Sequence, residues 1–392
     1  MIRKIDAHTV REAVEEAYRH CKEESGGRNA DYIPYLAGVP AHLFGIAACL
    51  PDGSVITAGD TEYAFGIESV SKVPTALLAM EQYGAGQLLH KIGADATGLP
   101  FNSIMAILLE RDHPSTPLVN AGAIAACSMI RPTGDADAKW AAIRGFIGEL
   151  AGSEVEVIDE LYRSESATNF NNRSIAWLLR NYGRIYDDPE LSLDLYTRQC
   201  SLGVTARQLA VAAATIAGGG VNPTTRRRVF KAELTPKITA LMATVGFYEH
   251  TGDWLFTTGL PAKSGVGGGI MGVVPGVLGI AAFSPPLDGA GNSVKAQKAL
   301  ARIAARLDPG GFHPTHVSSD ALHPGTGKSR NGLNVRCGTG PGEGGATRSG
   351  QVPSGRSRPE VQRTEEPRIV MMRGSSIQTP GKVMPRGSSH RP

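Results

Sequence analysis

Ser69 and Lys72 lie three residues apart, where a strand-like segment ends and a helix rich in Ala and Leu begins. This spacing is close to one helical turn, so it places the hydroxyl and the amine on the same face. A serine hydroxyl becomes an effective nucleophile when a neighbouring base removes its proton, and a lysine is such a base if burial lowers its pKa. The pattern therefore predicts a Ser-Lys nucleophile pair. Chance produces this spacing about once in a chain of this length, so a helix cap followed by a surface lysine is the competing interpretation.

A second pattern, Lys263-Ser264-Gly265, lies at the start of the last group of predicted strands. A Ser-x-x-Lys helix followed later by a Lys-Ser/Thr-Gly strand is the paired signature of the serine β-lactamase and penicillin-binding fold. Lys263 is expected to add positive charge to the cleft, and the small residues after it let a substrate lie against the strand backbone. In this arrangement the backbone N–H groups of Ser69 and Val266 converge as an oxyanion hole.

The composition of the 392-residue chain argues against several classes of function. A formal net charge of +3 is small for this length and does not suggest a nucleic acid or a membrane surface as partner. The first 24 residues carry charges throughout and lack the apolar segment of a secretory signal, and no apolar run approaches the length of a membrane span. The five cysteines lack CxxC spacing, which argues against a disulfide framework and a zinc site. We therefore expect a cytoplasmic protein without a metal or a cofactor.

Short strands are predicted near both ends of the chain, and helices between them. The apolar runs at 43–50 and 54–59 are joined by Pro51-Asp52-Gly53, which is a strong hairpin signal. Further strands are predicted at 261–264, 270–274 and 277–284. Helical periodicity predicts helices at 9–24, 70–83, 118–130, 139–150, 172–182, 189–200, 205–217, 234–245 and 293–307. Almost all of 70–247 is therefore expected to be helix or loop.

We predict an α/β (α+β) fold in which an antiparallel sheet, flanked by the terminal helices, lies beside a helical lobe, as in serine β-lactamases. The sheet lobe is expected at about 1–75 and 248–308, and the helical lobe at about 76–247. Ser69 then lies at the junction of the lobes, where clefts tend to form. Residues 309–392 are rich in Gly, Pro, Ser and Arg and lack periodicity, so they are predicted to be a disordered tail after a domain at 1–308.

Other short motifs lack the context that their chemistry needs. The segment 324–329 ends like a phosphate-binding loop, but Leu322 stands at the position of the first glycine and no predicted strand precedes it. The glycine-rich segment 265–269 lacks dinucleotide-binding spacing, so close approach of the backbone to another group explains it better. His313 and His316 have no fixed partners for a metal.

Several blocks of sequence, in order, resemble the serine-dependent glutaminases over about residues 8–308. These blocks are 101–103 (FNS), 117–124 (PLVNAGAI), 164–173 (SESATNFNNR), 196–201 (YTRQCS), 218–223 (GGGVNP) and 252–269 (GDWLFTTGLPAKSGVGGG). The resemblance implies hydrolysis of L-glutamine to L-glutamate and ammonia without a cofactor, by a homodimer or homotetramer.

The resemblance also implies a role for each site residue. Ser69 attacks the side-chain carboxamide, and Lys72 accepts the serine proton. Tyr248 relays a proton to the departing ammonia, with Tyr196 close by, and water then cleaves the γ-glutamyl ester. Val266 contributes its backbone to the same site.

The implied substrate-binding residues suit a free amino acid. Glu165 pairs with the α-ammonium group, while Tyr32, Asn120 and Asn172 hold the α-carboxylate end; Ser69, Tyr196, Tyr248 and Val266 line the rest of the site. One fixed anion and several neutral donors would discriminate strongly against analogues that lack the matching groups. Taken singly, the two asparagines also suit helix ends or turns, and the tyrosines suit half-buried aromatic positions.

Two residues near the nucleophile differ from those that the family usually has. Glu68 stands where the family usually has Gln, and Pro74 stands where it usually has Phe. These differences and the composition of the tail keep two alternatives open. One is another Ser-Lys hydrolase of this fold, such as a β-lactamase, a peptidase or an esterase. The other is a ligand-binding homologue with weakened catalysis.

Overall fold

The computed structural model describes residues 5–110 and 113–307. An antiparallel sheet of five strands lies at the centre of this described part. In chain order the strands of the described residues are β1 (Gly45–Cys49), β2 (Val55–Gly59), β3 (Phe65–Gly66), β4 (Glu156–Val157), β5 (Leu202–Val204), β6 (Ala262–Ser264), β7 (Gly269–Val274) and β8 (Leu278–Phe283). The central sheet has the order β2-β1-β8-β7-β6, so the N-terminal and C-terminal hairpins pair through β1 and β8. The predicted antiparallel sheet is confirmed.

Helices cover both faces of this sheet and form the middle of the chain. They are α1 (Ala7–Cys21), α2 (Pro34–Ala37), α3 (Lys72–Tyr83), α4 (Ala85–Lys91), α5 (Ile104–Leu109), α6 (Asn120–Met129), α7 (Ala136–Ala151), α8 (Asp159–Thr168), α9 (Phe170–Asn181), α10 (Pro189–Cys200), α11 (Ala206–Ala217), α12 (Thr235–Val245), α13 (Thr251–Thr258) and α14 (Val294–Leu307). Across the two described ranges, no helix has both the length and the apolar character that a membrane crossing needs.

Residues of the sheet alternate between two hydrophobic layers, as the period of two in a strand requires. In β1, Ile46 and Ala48 belong to one apolar layer, together with buried residues of α1 and α14. Ala47 and Cys49 belong to the other apolar layer, which includes α11 and the helices around it. All five residues of β1 are buried because both faces of the sheet are covered.

Helix α11 lies unusually close to the sheet. A Cβ atom at Gly279 in β8 would come within 2.0 Å of the backbone nitrogen of Ala214 in α11. Only glycine fits at this crossing, and the alanines of α11 allow the same close approach from the helix side. The tight packing fixes the helical layer against the sheet.

A second, three-stranded sheet adds two short strands to the segment 70–247, almost all of which was predicted to be helix or loop. Its order is β3-β5-β4, and β4 and β5 both lie within that segment. The Ile67 N–H also donates to the Leu202 carbonyl oxygen, 2.8 Å away. Because β3 leads directly to Ser69 and β5 follows α10, this small sheet fixes the nucleophile turn against α10.

The structure also corrects the start of the nucleophile helix. Glu68–Ser71 forms a 3-10 turn, and α3 begins at Lys72 rather than at 70. Pro74 is the third residue of α3, so the donor that it lacks has no partner within the helix in any case. Helices α2, α4, α5, α8 and α13 were not predicted. The predicted tail, the segment 324–329, His313 and His316 lie outside the described residues.

Candidate active site

The turn that carries Ser69 has a strained backbone. Glu68, directly before Ser69, has a φ of 49°, a left-handed conformation that residues other than glycine rarely adopt. The Ser71 hydroxyl donates to the Glu68 carbonyl oxygen at 2.6 Å, and the Val70 N–H donates to the Ile67 carbonyl oxygen at 3.2 Å. Strain of this kind persists only where the surroundings hold it, and it is concentrated at functional sites.

Ser69 and Lys72 are in contact at the end of this turn. Lys72 Nζ donates a hydrogen bond to Ser69 Oγ. Burial lowers the pKa of Lys72, although the nearby Cys200, Glu68 and Glu165 oppose the shift. Lys72 Nζ also lies 5.3 Å from the centroid of the Tyr196 ring. The competing interpretation of a surface lysine is wrong, because Lys72 is only 1% exposed.

The glycine-rich segment 265–269 brings Val266 beside Ser69. A Cβ atom at Gly265 would lie 2.9 Å from the Ile67 carbonyl oxygen and 3.3 Å from the Ser69 nitrogen, and one at Gly267 would lie 2.2 Å from the Gly66 carbonyl oxygen. The expected close approach of backbone is therefore made to the nucleophile turn. Val266 and Ser69 line the same cavity.

Tyr248 is another neighbour of the Ser69 side chain. It too has a left-handed backbone, with a φ of 54°, and its hydroxyl donates to the Ser264 carbonyl oxygen at 3.2 Å. Burial raises the pKa of Tyr248, while a side-chain hydrogen bond with Ser69 acts in the opposite direction. The phenol is therefore protonated and adjacent to the nucleophile.

Lys263 does not place its charge in the cleft as the sequence predicted. It is fully buried, and its amine donates to the carbonyl oxygens of Ser264 at 2.6 Å and Gly246 at 3.3 Å. Burial and the nearby Lys72 hold the pKa of Lys263 well below its usual value. The Lys263 Nζ atom lies over the Tyr248 ring, 4.4 Å from its centroid, and so packs against that tyrosine.

Most of the predicted site residues line one cavity. Its lining includes Tyr32, Ser69, Asn120, Glu165, Asn172, Tyr196 and Val266. Lys72 and Tyr248 are not in this lining, but the side chains of both interact with Ser69. All nine predicted residues therefore come together around Ser69. Tyr32 is the outermost of them, with 57% of its surface exposed.

A chain of side-chain hydrogen bonds orders the amides on the cavity wall. The Tyr196 hydroxyl donates to Asn120 Oδ1 at 3.1 Å, and Asn120 Nδ2 donates to Asn172 Oδ1 at 2.8 Å. These bonds join α6, α9 and α10 across the cavity wall. With these oxygens already engaged as acceptors, the Asn172 amide N–H groups can face an anionic ligand.

Glu165 and Glu68 face each other across the same cavity, next to Cys200. Burial raises the pKa of Glu165 to about 7, although Lys72 opposes the shift. Donor atoms of Glu68, Glu165 and Cys200 lie within 4.8 Å of one another. Burial and the two carboxyl groups raise the pKa of the Cys200 thiol well above its usual value. The three side chains therefore form a carboxyl pair beside a protonated thiol.

The presence of Cys200 at the site and the supporting role of Lys263 were not predicted from the sequence. Cys200 follows Tyr196 by one helical turn in α10, so the spacing could have placed it beside the site. The carbonyl groups that receive Lys263 come from Gly246 and Ser264, and no local pattern reveals that arrangement.

Comparisons with known proteins show the family to which the chain is similar. Residues 27–312 match the family model described as Glutaminase. A glutaminase of Bacteroides thetaiotaomicron is 66% identical over 317 residues, which cover 81% of this chain and 99% of the relative. A solved structure of a probable glutaminase, ybaS, superposes with a TM-score of 0.76 at 50% identity, covering 77% of this chain and 98% of that one. The glutamate form of Mglu superposes with a TM-score of 0.75 at 32% identity, covering 80% of this chain and 72% of that one.

Proposed function

The chain belongs to the glutaminase family and is an amidohydrolase that acts on glutamine, and we propose that it does so through an acyl-enzyme on Ser69. The observation that carries the proposal is the hydrogen bond between Lys72 Nζ and Ser69 Oγ in a buried site. This hydrogen bond joins the nucleophile to its base, and the two residues are separated by about one helical turn. The products are L-glutamate and ammonia.

In the first step neutral Lys72 takes the proton of Ser69 Oγ as the oxygen attacks the side-chain carbonyl carbon of glutamine. The lowered pKa of Lys72 supports this role, because a protonated amine cannot accept a proton. The negative charge that develops on the carbonyl oxygen is stabilised by the backbone N–H groups of Ser69 and Val266. The close packing of Gly265 against the nucleophile turn supports this placement.

The leaving group departs as ammonia, which requires a proton at its nitrogen. Tyr248 carries a protonated hydroxyl next to Ser69 and relays the proton that Lys72 received. Water then attacks the γ-glutamyl ester while neutral Lys72 accepts its proton. As the C–O bond of the ester breaks, Lys72 returns this proton to Ser69 Oγ, and L-glutamate is released. Tyr196 lies beside the Lys72 amine and supports its position.

The other end of the substrate is held by the cavity wall. Glu165 receives the α-ammonium group, since its carboxyl group is buried at the cavity and Glu165 Oε2 has no hydrogen-bond partner among the described residues. Tyr32, Asn120 and Asn172 hold the α-carboxylate end. An analogue without these groups would leave buried polar atoms unpaired and would be rejected.

A coupled assay for ammonia tests the proposal against the other hydrolases of this fold. The purified protein is offered L-glutamine, a chromogenic β-lactam and a simple aryl ester in parallel. Turnover of glutamine alone supports the proposed reaction. Hydrolysis of the lactam or the ester without release of ammonia from glutamine contradicts it, and binding of glutamine without turnover of any of the three identifies a ligand-binding homologue.

We also propose that the protein is a cytoplasmic homo-oligomer with a catalytic domain at 1–308. The four described cysteines are free and buried, which suits a reducing compartment. Phe170 and Phe256 are 71% and 87% exposed, and large exposed aromatic side chains are typical of subunit contacts. Light scattering coupled to gel filtration measures the oligomeric state, and a monomeric mass would contradict the second part of the proposal.

A further inference from the structure

Glu68 and Glu165 bring two carboxyl groups to one cavity from different parts of the chain. Glu68 belongs to the nucleophile turn and Glu165 to α8. Their oxygens lie within 4.8 Å of each other, and both residues line the cavity that contains Ser69. The side chains are 3% and 7% exposed. Among the described residues, Glu68 Oε1 and Glu165 Oε2 are buried without a hydrogen-bond partner.

The groups around this carboxyl pair do not neutralise it. Those that face it are the Lys72 amine, the Cys200 thiol and the hydroxyl groups of Tyr32, Tyr196 and Tyr248. Lys72 is the basic group among them, and its amine already donates a hydrogen bond to Ser69 Oγ. Burial and the neighbouring Glu165 raise the pKa of Glu68 well above its usual value. Two carboxyl groups this close, away from water, retain one proton between them until a cation arrives.

We propose that Glu68 is a second carboxylate of the substrate's α-ammonium site, and that binding of the ammonium group displaces the proton held between Glu68 and Glu165. The inference rests on the proposed function and deepens it. An ammonium group has three N–H donors, and the pair offers two unpartnered oxygens that can accept from them. A glutamine at position 68 would offer a neutral amide oxygen and would leave Glu165 to carry the charge alone.

The left-handed backbone of Glu68 supports this role. With a φ of 49° the residue adopts a conformation that costs free energy, and the hydrogen bond from Ser71 holds it there. A Cβ atom at Gly267 would lie 3.2 Å from Glu68 Cγ, so the turn between β6 and β7 packs closely against this side chain. The backbone and this packing therefore place the carboxyl group at the cavity.

Calorimetry measures the displaced proton directly. L-glutamine is titrated into Ser69→Ala protein, which is expected to bind it without turnover, in two buffers of different ionisation enthalpy. The pH is about 8, because Glu165, whose pKa burial raises to about 7, is then mostly ionised when it lacks an acidic neighbour. The difference between the two binding enthalpies gives the number of protons released. We expect about one proton per glutamine, and close to none when Glu68→Gln is added to Ser69→Ala. Glu233→Gln added to Ser69→Ala is the matched control, because Glu233 is exposed in a remote 3-10 turn, and it should retain the release.

Glutaramate, which is glutamine without its α-amino group, provides a test that needs no change at Glu68. It should bind to Ser69→Ala protein far more weakly and without releasing a proton. In turnover, Glu68→Gln should raise the KM for L-glutamine about tenfold, a larger effect than on kcat. Equal proton release with and without Glu68 overturns the inference, and so does equal release with glutamine and glutaramate.

The two proposals fail in different ways. If the wild-type protein releases no ammonia from glutamine, the proposed reaction is wrong, while the number of protons released on binding still decides the role of Glu68. If ammonia is released normally and Glu68→Gln changes neither KM nor the proton release, the reaction stands and the second carboxylate is wrong. The melting temperature of each variant is measured alongside, so that an unfolded variant is recognised.

Discussion

The Lys72 amine donates a hydrogen bond to the Ser69 hydroxyl, and the two side chains are 1% and 5% exposed. The bond joins the first residue of α3 to the 3-10 turn before it. Because the lysine is buried away from water, its charged form is disfavoured and its neutral form is available as a base. This relationship is the centre of the proposed mechanism.

The role of Lys72 as a base predicts a pH dependence with a definite sign. The fraction of neutral amine increases as pH rises through the lowered pKa, so kcat/KM of the wild-type protein should rise over the same interval. Lys72→Arg keeps a cation that cannot lose its proton, and it should lower kcat by about a thousandfold without restoring activity at high pH. Ammonia release measured between about pH 6 and 9 tests both expectations.

Lys237→Arg is the matched control for this substitution. Lys237 is exposed in α12, so its replacement should leave the pH profile unchanged. A Lys72→Arg protein with near-normal kcat, or a wild-type profile that falls through this interval, would show that Lys72 is not the base.

The buried ion pair between Lys139 and Asp187 predicts a large effect on stability. Lys139 is fully buried and Asp187 is 8% exposed, and Lys139 also donates to the Ser128 carbonyl oxygen at 2.9 Å. Lys139→Met leaves a buried carboxylate without its cation and should lower the free energy of unfolding by about 3–5 kcal/mol. Urea denaturation followed by circular dichroism measures the loss.

The double variant Lys139→Met, Asp187→Leu distinguishes two contributions to the lost stability. One is the unpaired charge on Asp187, and the other is the packing that the lysine side chain provided. It should recover most of the stability, since replacing both members of a buried pair by apolar residues is often close to neutral. Burial alone would raise the pKa of Asp187, but hydrogen bonds from Lys139 and the Gly134 N–H lower it. The pair therefore stabilises the fold above the unfolded-state pKa of about 4, and this contribution is lost as pH falls. Equal losses in the single and double variants would contradict the account.

The proposed domain boundary predicts that a shortened protein remains active. The family match ends at residue 312, and the last described helix, α14, packs against α1 and the central sheet. A protein that ends at residue 312 should keep kcat/KM within about twofold and the melting temperature within about 2 °C of the full chain. A larger fall in either would show that residues 313–392 contribute to the folded domain.

The central sheet was predictable because its residues carry strong local signals. Pro51-Asp52-Gly53 specifies a tight turn between two apolar runs, and β1 and β2 form the expected hairpin around it. The second sheet was not predictable, since β3 and β4 have two residues each and no periodicity develops over that length. Helix α8 was missed because its sequence is polar over most of its surface, with Leu161 and Glu165 as its buried residues.

The site was predictable only in part from its residues. The spacing of Ser69 and Lys72 and the late Lys263-Ser264-Gly265 pattern indicate the nucleophile and the fold. The substrate-binding residues lie on separate elements, so the resemblance to a family was needed to find them. The position of the Lys263 amine depends on carbonyl oxygens of Gly246 and Ser264, which only the folded chain brings into contact with it.

The most direct test of the mechanism is the rate of ammonia release by Ser69→Ala, with glutamine binding measured on the same sample. We expect a fall in kcat of about a thousandfold or more, because the acyl-enzyme cannot form without the Ser69 hydroxyl, while calorimetry still detects bound L-glutamine. Ser54→Ala, in the exposed hairpin turn, is the control and should retain the wild-type rate. A Ser69→Ala protein that releases ammonia at a rate near that of the wild type would contradict the acyl-enzyme on Ser69.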